Sequence, residues 1–508
     1  MQSGKTAHKR KTLKKVNPLS PDPKWDVIVI GSGIGGASAG AICASHGLKT
    51  LILEKNPRPG GACSYYEKDG FRFDTGTHLF VRGNKGPFGI CTRRLGMGTP
   101  IEFRRTRKIV RVLGMNLDLT ISKGKLGMFL VLIRVIKQLQ ISPSYFPDIF
   151  LLMRDIIFMS QHKIEVLDAV SVENFLLQYT KTPEVQAIFG MLFSLFSVMP
   201  TQQSSAGEAV WNIRKLMFEE NLCYPKGGAA AVPNTILEGA KRHSAQVWLN
   251  ATVKKIQVEN NHISGVLMEN GEMITASTVI STTSLYDTIL SLTGREHFPE
   301  DYTRKIEQVK GSWAPVQAKI AVRKKLVEAG CIVAGVPLKL DEGFSDKIPR
   351  DVQSNLENGE VGNYFMIYAP VPTNFDQSLA PDGCQIITAA TVAPTLDIPL
   401  KDEPAAWIDA IMNTLYKVIP GLKENILFYD SWSVKNIANW MGKRSGSAIA
   451  TAQIPSQAGV SRPGHHTPVR GLYMAGDSGG AARGVGTELA CQSGMNCGDL
   501  VVRNKILT

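Results

Sequence analysis

Three glycines, Gly31, Gly33 and Gly36, follow the apolar run Val27-Ile28-Val29-Ile30 as G-x-G-x-x-G. Such a run is predicted to form a buried parallel strand. At a strand–turn–helix junction the first glycine makes the tight turn, and the second lets the backbone approach a pyrophosphate. The third lets the new helix pack closely on the sheet. Phosphates would sit on the helix N-terminus, where free N–H groups and the dipole favour negative charge. Glu54 ends a second predicted strand, Leu48-Lys49-Thr50-Leu51-Ile52-Leu53, 18 residues past Gly36. A carboxylate there accepts hydrogen bonds from both hydroxyls of an adenosine ribose and repels a 2′-phosphate. A glycine turn of purely structural purpose is the alternative. The neighbours argue against it: residues 37–46 are small and helix-compatible, and Gly47 sits where a C′ glycine would end the helix. Beyond Glu54, Arg58 can neutralise a pyrophosphate, and Gly60-Gly61 bring backbone N–H groups close to a cofactor.

Elements must carry these residues, and the chain has room for them. At 508 residues it should form two or more domains, and 44% hydrophobic with 20% charged residues describes a folded protein. The net charge of +13 is uneven, because residues 1–25 carry Lys5, Lys9, Arg10, Lys11, Lys14, Lys15 and Lys24 against Asp22. This segment lacks the apolar stretch of a secretory signal and is expected to be a disordered basic arm. A solvated tail and a tether to an anionic membrane are both compatible with it. No nucleic-acid motif accompanies the charge, so nucleic acid is not an expected partner.

The eight cysteines are scattered among apolar neighbours without C-x-x-C, and read as reduced core residues of a cytosolic protein. No metal site is expected. Apolar runs at 126–133 and 145–158 are too short and too interrupted for a membrane span. Edged by Arg134 and Lys137, and preceded by Arg104, Arg105, Arg107, Lys108 and Arg111, they suit helices lying in a membrane interface. Helices buried in a large domain would look the same. The expected location is cytoplasmic, with peripheral contact on the inner face of a membrane.

A resemblance becomes specific after Glu54. Arg58-Pro59-Gly60-Gly61 followed by Phe73-Asp74-Thr75-Gly76 resembles the R-x-G-G and F-D-x-G of two-dinucleotide-binding-domain flavoproteins. That group includes amine oxidases, protoporphyrinogen oxidase and phytoene desaturases. Many members have arginine directly after the glycine pair. Ala62 stands there in this chain, which removes one phosphate contact and is similar to carotenoid isomerases and retinol saturases. Tyr224-Pro225-Lys226-Gly227-Gly228 is similar to the family's Y-P-x-G-G turn, and residues 376–383 resemble a D-P-S-L-A-P-x-G turn of phytoene desaturase relatives.

Near the end, Gly471-Leu472-Tyr473-Met474-Ala475-Gly476-Asp477 and Arg483-Gly484-Val485-Gly486-Thr487-Glu488 complete the pattern. The resemblance implies FAD as the resident cofactor, with backbone groups at Val253 holding the adenine. It places Asp477, after Gly476, at the ribityl–phosphate portion. The helix N-terminus at Val485, Gly486 and Thr487 would face the flavin N1–C2=O edge, where a positive dipole end stabilises the anionic reduced flavin. His78 lies where the chain should pass the flavin, as a candidate catalytic group or a structural histidine.

The expected fold class is α/β. A Rossmann-like FAD-binding domain would be assembled from residues 24–98, 222–295 and 425–508, after the arm at 1–23. A discontinuous mixed α+β substrate domain would come from 99–221 and 296–424. The dense apolar cluster at 188–199, including Phe189, Phe193, Phe196 and Val198, is core packing or the wall of a tunnel for a long hydrocarbon. The resemblance implies an FAD-dependent oxidoreductase acting on C–C double bonds of a long apolar, polyisoprenoid-like small molecule, by desaturation, saturation or cis–trans isomerisation. The alternatives are an amine-oxidase-like or porphyrinogen-oxidising enzyme, and a flavin-binding, membrane-associated protein without turnover. Oligomeric state stays open.

Overall fold

The computed structural model describes residues 25–506 apart from 77–78, 115–116, 123–133, 135–136, 139–141, 183–184, 187–188, 191–192, 194–195, 219–221, 338–347, 363 and 485. The basic arm, the apolar run at 126–133, His78 and Val485 therefore lie outside the described residues, as do Ile188, Met191, Leu192 and Leu195 of the apolar cluster.

The fold is α/β. The run after Trp25 forms the strand Val27–Ile30, fully buried and central in a five-stranded parallel sheet. Thr50–Leu53 pairs on one side of it and Val279–Ser281 on the other, with Gln246–Trp248 and Leu472–Met474 at the edges. Strands buried on both faces read as continuous apolar runs, which is why Val27–Ile30 carries no alternation. Leu472–Met474 reaches this sheet from the far end of the chain, and its helix follows. Gly486–Ile506 packs on the first helix, Ile34–Ser45, through glycines. A Cβ added at Gly494 would stand 2.3 Å from the Gly35 carbonyl oxygen, and one at Gly498 2.8 Å from Ile42 Cβ. Two backbones can approach so closely only where side chains are absent. The two ends of the chain meet there.

Val253–Glu259, His262–Met268 and Met273–Thr275 form a separate antiparallel sheet. Its first hairpin turns at Asn260 and Asn261, both with positive φ, as a tight two-residue loop requires. A seven-stranded sheet then runs in the order Ile426–Trp432, Ala314–Val322, Gln385–Ala393, Tyr364–Pro370, Cys331–Pro337, Lys108–Gly114, Leu117–Ser122. Helix Pro404–Val418 covers it with Trp407, Ile408, Ile411 and Leu415 and ends before Gly421, which is left-handed at φ 75°. Ile426–Trp432 pairs with Ala314–Val322. This strand from the last expected cofactor segment thus lies in the second sheet.

The hairpin Tyr65–Lys68/Phe71–Asp74 joins the two sheets. Tyr66 donates to Asp430 at 2.9 Å, and Phe71 and Phe73 pack against Phe428. Helices Phe146–Phe158, Val172–Leu177 and Ala206–Phe218 share a further apolar core, and the second of them is capped by Ser171, whose Oγ accepts from Asn174 N. All eight cysteines are free and seven are buried. Among the described residues no helix is long and apolar enough to cross a membrane.

Candidate functional site

One cavity of about 1290 Å³ joins the glycine turn of the first sheet to the face of the second. Gly31, Gly33, Glu54, Gly61, Ala62, Val253, Gly476, Asp477, Gly486 and Thr487 all line it. Gly31 adopts φ 97° as it leaves the first strand, and its N–H donates to the Leu53 carbonyl. Gly36 does not reach the cavity. A Cβ there would stand 1.9 Å from the Gly31 carbonyl oxygen, so this glycine serves helix–strand packing. Arg58 also stays outside the lining: its guanidinium donates to the Tyr65 carbonyl at 3.2 Å and lies 4.7 Å over the Tyr65 ring.

The cradle fits a dinucleotide. Gly33 has φ −58°, which any residue can adopt, and no protein atom within 4 Å of an added Cβ. Neither backbone strain nor a protein neighbour accounts for glycine there. A group passing close to the backbone would account for it. Gly33 caps the first helix without any side-chain bond to the free N–H groups of the first turn, leaving an anion-binding helix end at the cavity wall. Glu54 is buried, with Oε2 accepting from Ser32 N and Oγ and Oε1 accepting from Asn56 N. Each carboxylate oxygen can accept two bonds, so Oε1 keeps room for a hydroxyl.

Two family motifs meet just behind this wall. Asp74 accepts from the Tyr224 hydroxyl and from Ala229 N at 3.0 Å. Asp376 accepts from Gly227 N at 2.7 Å and from Ser378. The motif residues on either side of the first insertion thus hold one another, and the turn at 376–383 is a clasp on the Tyr224–Gly228 segment.

Away from the glycines the lining is mostly apolar. Ile109, Val110 and Val112 come from the second sheet, Ile149 and Met153 from one helix, and Ile213, Leu216, Met217 and Phe218 from another. Phe189, Phe196 and Val198 of the apolar cluster face the cavity, whereas Phe193 is fully buried in the helical core. The cluster therefore divides between cavity wall and core packing.

Several lining or supporting residues had no local signature. The turn Trp440-Met441-Gly442-Lys443 lines the cavity, Trp440 donating to the Gly61 carbonyl at 3.0 Å. Gln317 lines it too, and its Oε1 accepts from Lys319. Lys319 is wholly buried, and its ammonium also donates to the Asp74 and Thr75 carbonyls at 2.6 and 3.2 Å. Burial pulls Lys319 down to about 7, against the opposing pull of Asp74 and Asp430. One signal was available: a lysine inside the apolar run Ala314–Val322 needs partners.

A buried ionic cluster supports the turn before the last helix. Arg483 forms a two-pronged pair with Asp168 and bonds Glu208 at 3.1 Å, while Gln453 links Glu208 to the Gly484 carbonyl. Burial pushes the Glu208 carboxyl up to about 7, although Arg483 pulls it down. Between its ordinary value of 4.5 and about 7, the native state holds a proton that the unfolded chain has lost. This contribution to stability is full below 4.5 and is lost as pH rises through 7. Glu208→Gln is therefore expected to flatten the fall in unfolding midpoint across that window. Thermal unfolding at several pH values checks it; an unchanged slope would exclude Glu208 as its source.

A parallel sheet opening on a dinucleotide cradle, with a second sheet walling an apolar chamber, defines the two-dinucleotide-binding-domain class of flavoproteins. The family model described as flavin containing amine oxidoreductase matches residues 34–502, and the chain belongs to that family. It is an FAD-dependent oxidoreductase. A chloroplastic prolycopene isomerase of Daucus carota is 26% identical over 505 residues, 92% of this chain and 78% of its own. An all-trans-retinol 13,14-reductase of Macaca fascicularis is 26% identical over 314 residues, 55% of this chain and 51% of its own. A solved putrescine oxidase with bound putrescine shares the fold at a TM-score of 0.67 and 14% identity, covering 95% of this chain and all of that one (100%).

Proposed function

We propose that this enzyme acts on C–C double bonds of a long apolar, polyisoprenoid-like substrate, by desaturation, saturation or cis–trans isomerisation. One observation supports the reading most directly: the glycine cradle and an apolar chamber are two ends of one cavity. The relatives named for prolycopene and retinol point to the same substrate class.

In this reading Glu54 holds the adenosine ribose, Val253 the adenine, and the first turn of Ile34–Ser45 the diphosphate. Asp477 meets the ribityl portion, and the helix end at Gly486–Thr487 faces the flavin ring, its dipole favouring negative charge on the pyrimidine edge. When bound, FAD supplies hydride exchange with carbon. The chain's own residues bind, align and keep dry. Val112, Phe189, Phe196 and Met217 exclude water, so the ordering of a hydrocarbon against the flavin is set by cavity shape.

Peripheral membrane association belongs to the same proposal. Helix Phe146–Phe158 turns Ile149, Leu152 and Ile156 inward, Ile149 and Met153 reaching the cavity. On its outer side Phe150 and Phe158 are 69% and 80% exposed, beside Phe146 and Leu151. Aromatic groups held open to water next to an apolar chamber suit uptake of substrate from a lipid surface.

The test is anaerobic incubation of the purified yellow protein with vesicles carrying conjugated polyenes, followed by flotation and mass analysis. The expected result is co-flotation with a polyene that gains or loses two hydrogens, or shifts its absorption without a mass change. Flavin that bleaches with amines and ignores polyenes would replace this reading with the amine-oxidase-like one.

A further inference from the structure

A diphosphate bridge carries two negative charges, and burying them requires cations or N–H groups within hydrogen-bond reach. The sequence's own candidates put no cation at the cavity wall: position 62 is alanine, and Arg58 is turned onto Tyr65. Among the described lining residues the cationic side chains are Lys55 and Lys443. Lys55 donates to the Asn439 carbonyl, next to Glu54. Lys443 occupies a different place. Gly442, left-handed at φ 66°, ends the helix Val434–Met441 and turns the chain so that Lys443 meets Asp477.

The Lys443 ammonium lies 2.5 Å from Asp477 Oδ2 and 3.4 Å from the Ala448 carbonyl. An ammonium has three donors, so one is left. Asp477 Oδ2 also accepts from Ala450 N at 2.9 Å, which fixes the carboxylate. Asp477 follows Gly476, whose Cα would stand 2.6 Å from a Cβ on Gly35 in the first turn of the first helix. The ammonium with its spare donor and the anchored carboxylate thus line the same cavity as the uncapped helix N-terminus, and the Gly476 backbone next to that carboxylate packs on the first turn of the helix.

We infer that Lys443 is the cationic anchor for the diphosphate of FAD, held in position by Asp477, and that its spare donor supplies the phosphate contact lacking at position 62. The inference rests on FAD occupying the glycine-lined end. Asp477 then has a second purpose beside its ribityl contact: it fixes a lysine whose free side chain would otherwise cost entropy to order.

Flavin-free protein titrated with FAD and, separately, with riboflavin tests this by fluorescence quenching. Riboflavin keeps the ring and ribityl chain and lacks phosphate. A hydrogen bond to a charged group contributes about 1.5–3 kcal/mol, so Lys443→Gln is expected to weaken FAD roughly 10- to 100-fold more than it weakens riboflavin. Lys443→Arg should recover most of the loss. Since Lys443→Gln strands a buried carboxylate, the same contrast is also read between Asp477→Asn and the double variant Asp477→Asn/Lys443→Gln, in which the corner is neutral. Unaltered FAD affinity would overturn the assignment. Equal losses for both ligands would do so too, by showing that Lys443 acts through the fold. A wild-type protein that binds neither ligand would instead sink the placement of FAD itself.

Discussion

Gly33→Val should give a folded, colourless protein. At φ −58° and ψ 171° the backbone suits a valine, and no protein atom lies within 4 Å of the added Cβ. The direct cost to the fold is the change of helix N-cap from glycine to valine, about 1 kcal/mol. Cofactor binding is another matter. The isopropyl group would enter the space between the helix N-terminus and the cavity, where a pyrophosphate must approach the backbone. Loss of those contacts is expected to weaken FAD by about 3 kcal/mol or more, at least ~100-fold.

Gly36→Ala provides the contrast. Its single methyl carbon would stand 1.9 Å from the Gly31 carbonyl oxygen, so the helix must leave the sheet and the whole fold should suffer. Flavin content per protein and the thermal unfolding curve separate the two cases. A yellow Gly33→Val protein with normal flavin content would remove the cofactor from this turn.

The glycine turn was readable because everything it needs is local. Gly31 and Glu54 follow the ends of two strands, and Gly33 and Gly36 open the helix between them; the rules for that unit concern neighbours in sequence. Gly476-Asp477 could be read for the same reason, as a strand end before a helix. Lys443 could not. Its helix-ending glycine is visible, but nothing nearby says that the following side chain will find Asp477. Ile426–Trp432 shows the same limit: the composition marks a strand, while its partner, Ala314–Val322, lies about a hundred residues upstream. Helix Phe146–Phe158 is instructive in another way. It reads as either buried or interfacial, and in the structure Ile149, Leu152 and Ile156 are buried while Phe150 and Phe158 stand open to solvent. The cluster around Arg483 was hidden for a different reason, since Asp168 and Glu208 are isolated acids in otherwise ordinary helical sequence, with a purpose only once brought together.

Asp168→Ala is expected to be the most destabilising single change in that cluster. Asp168 is 1% exposed and takes both terminal nitrogens of Arg483, and it also accepts from Val460 N at 3.3 Å. Removing it leaves a guanidinium that is still largely buried and paired only with Glu208. Breaking a buried pair from one side costs about 3–5 kcal/mol, because the remaining charge stays desolvated. One effect works the other way. Asp168 is among the groups that raise the Glu208 carboxyl, so its removal makes Glu208 a better partner for Arg483 and places the loss near the lower end, about 3 kcal/mol. Asp168→Leu combined with Arg483→Met should recover part of that loss, since apolar groups of similar volume need no partner. Denaturant unfolding of the three proteins measures both effects. The turn at Gly484 leads into the helix end that lines the cavity, so Asp168→Ala should also release flavin at lower denaturant than unfolds the protein. If Asp168→Ala cost less than about 1 kcal/mol, Arg483 would have to be solvated in solution, and the cluster would lose its claim to hold the last helix in place.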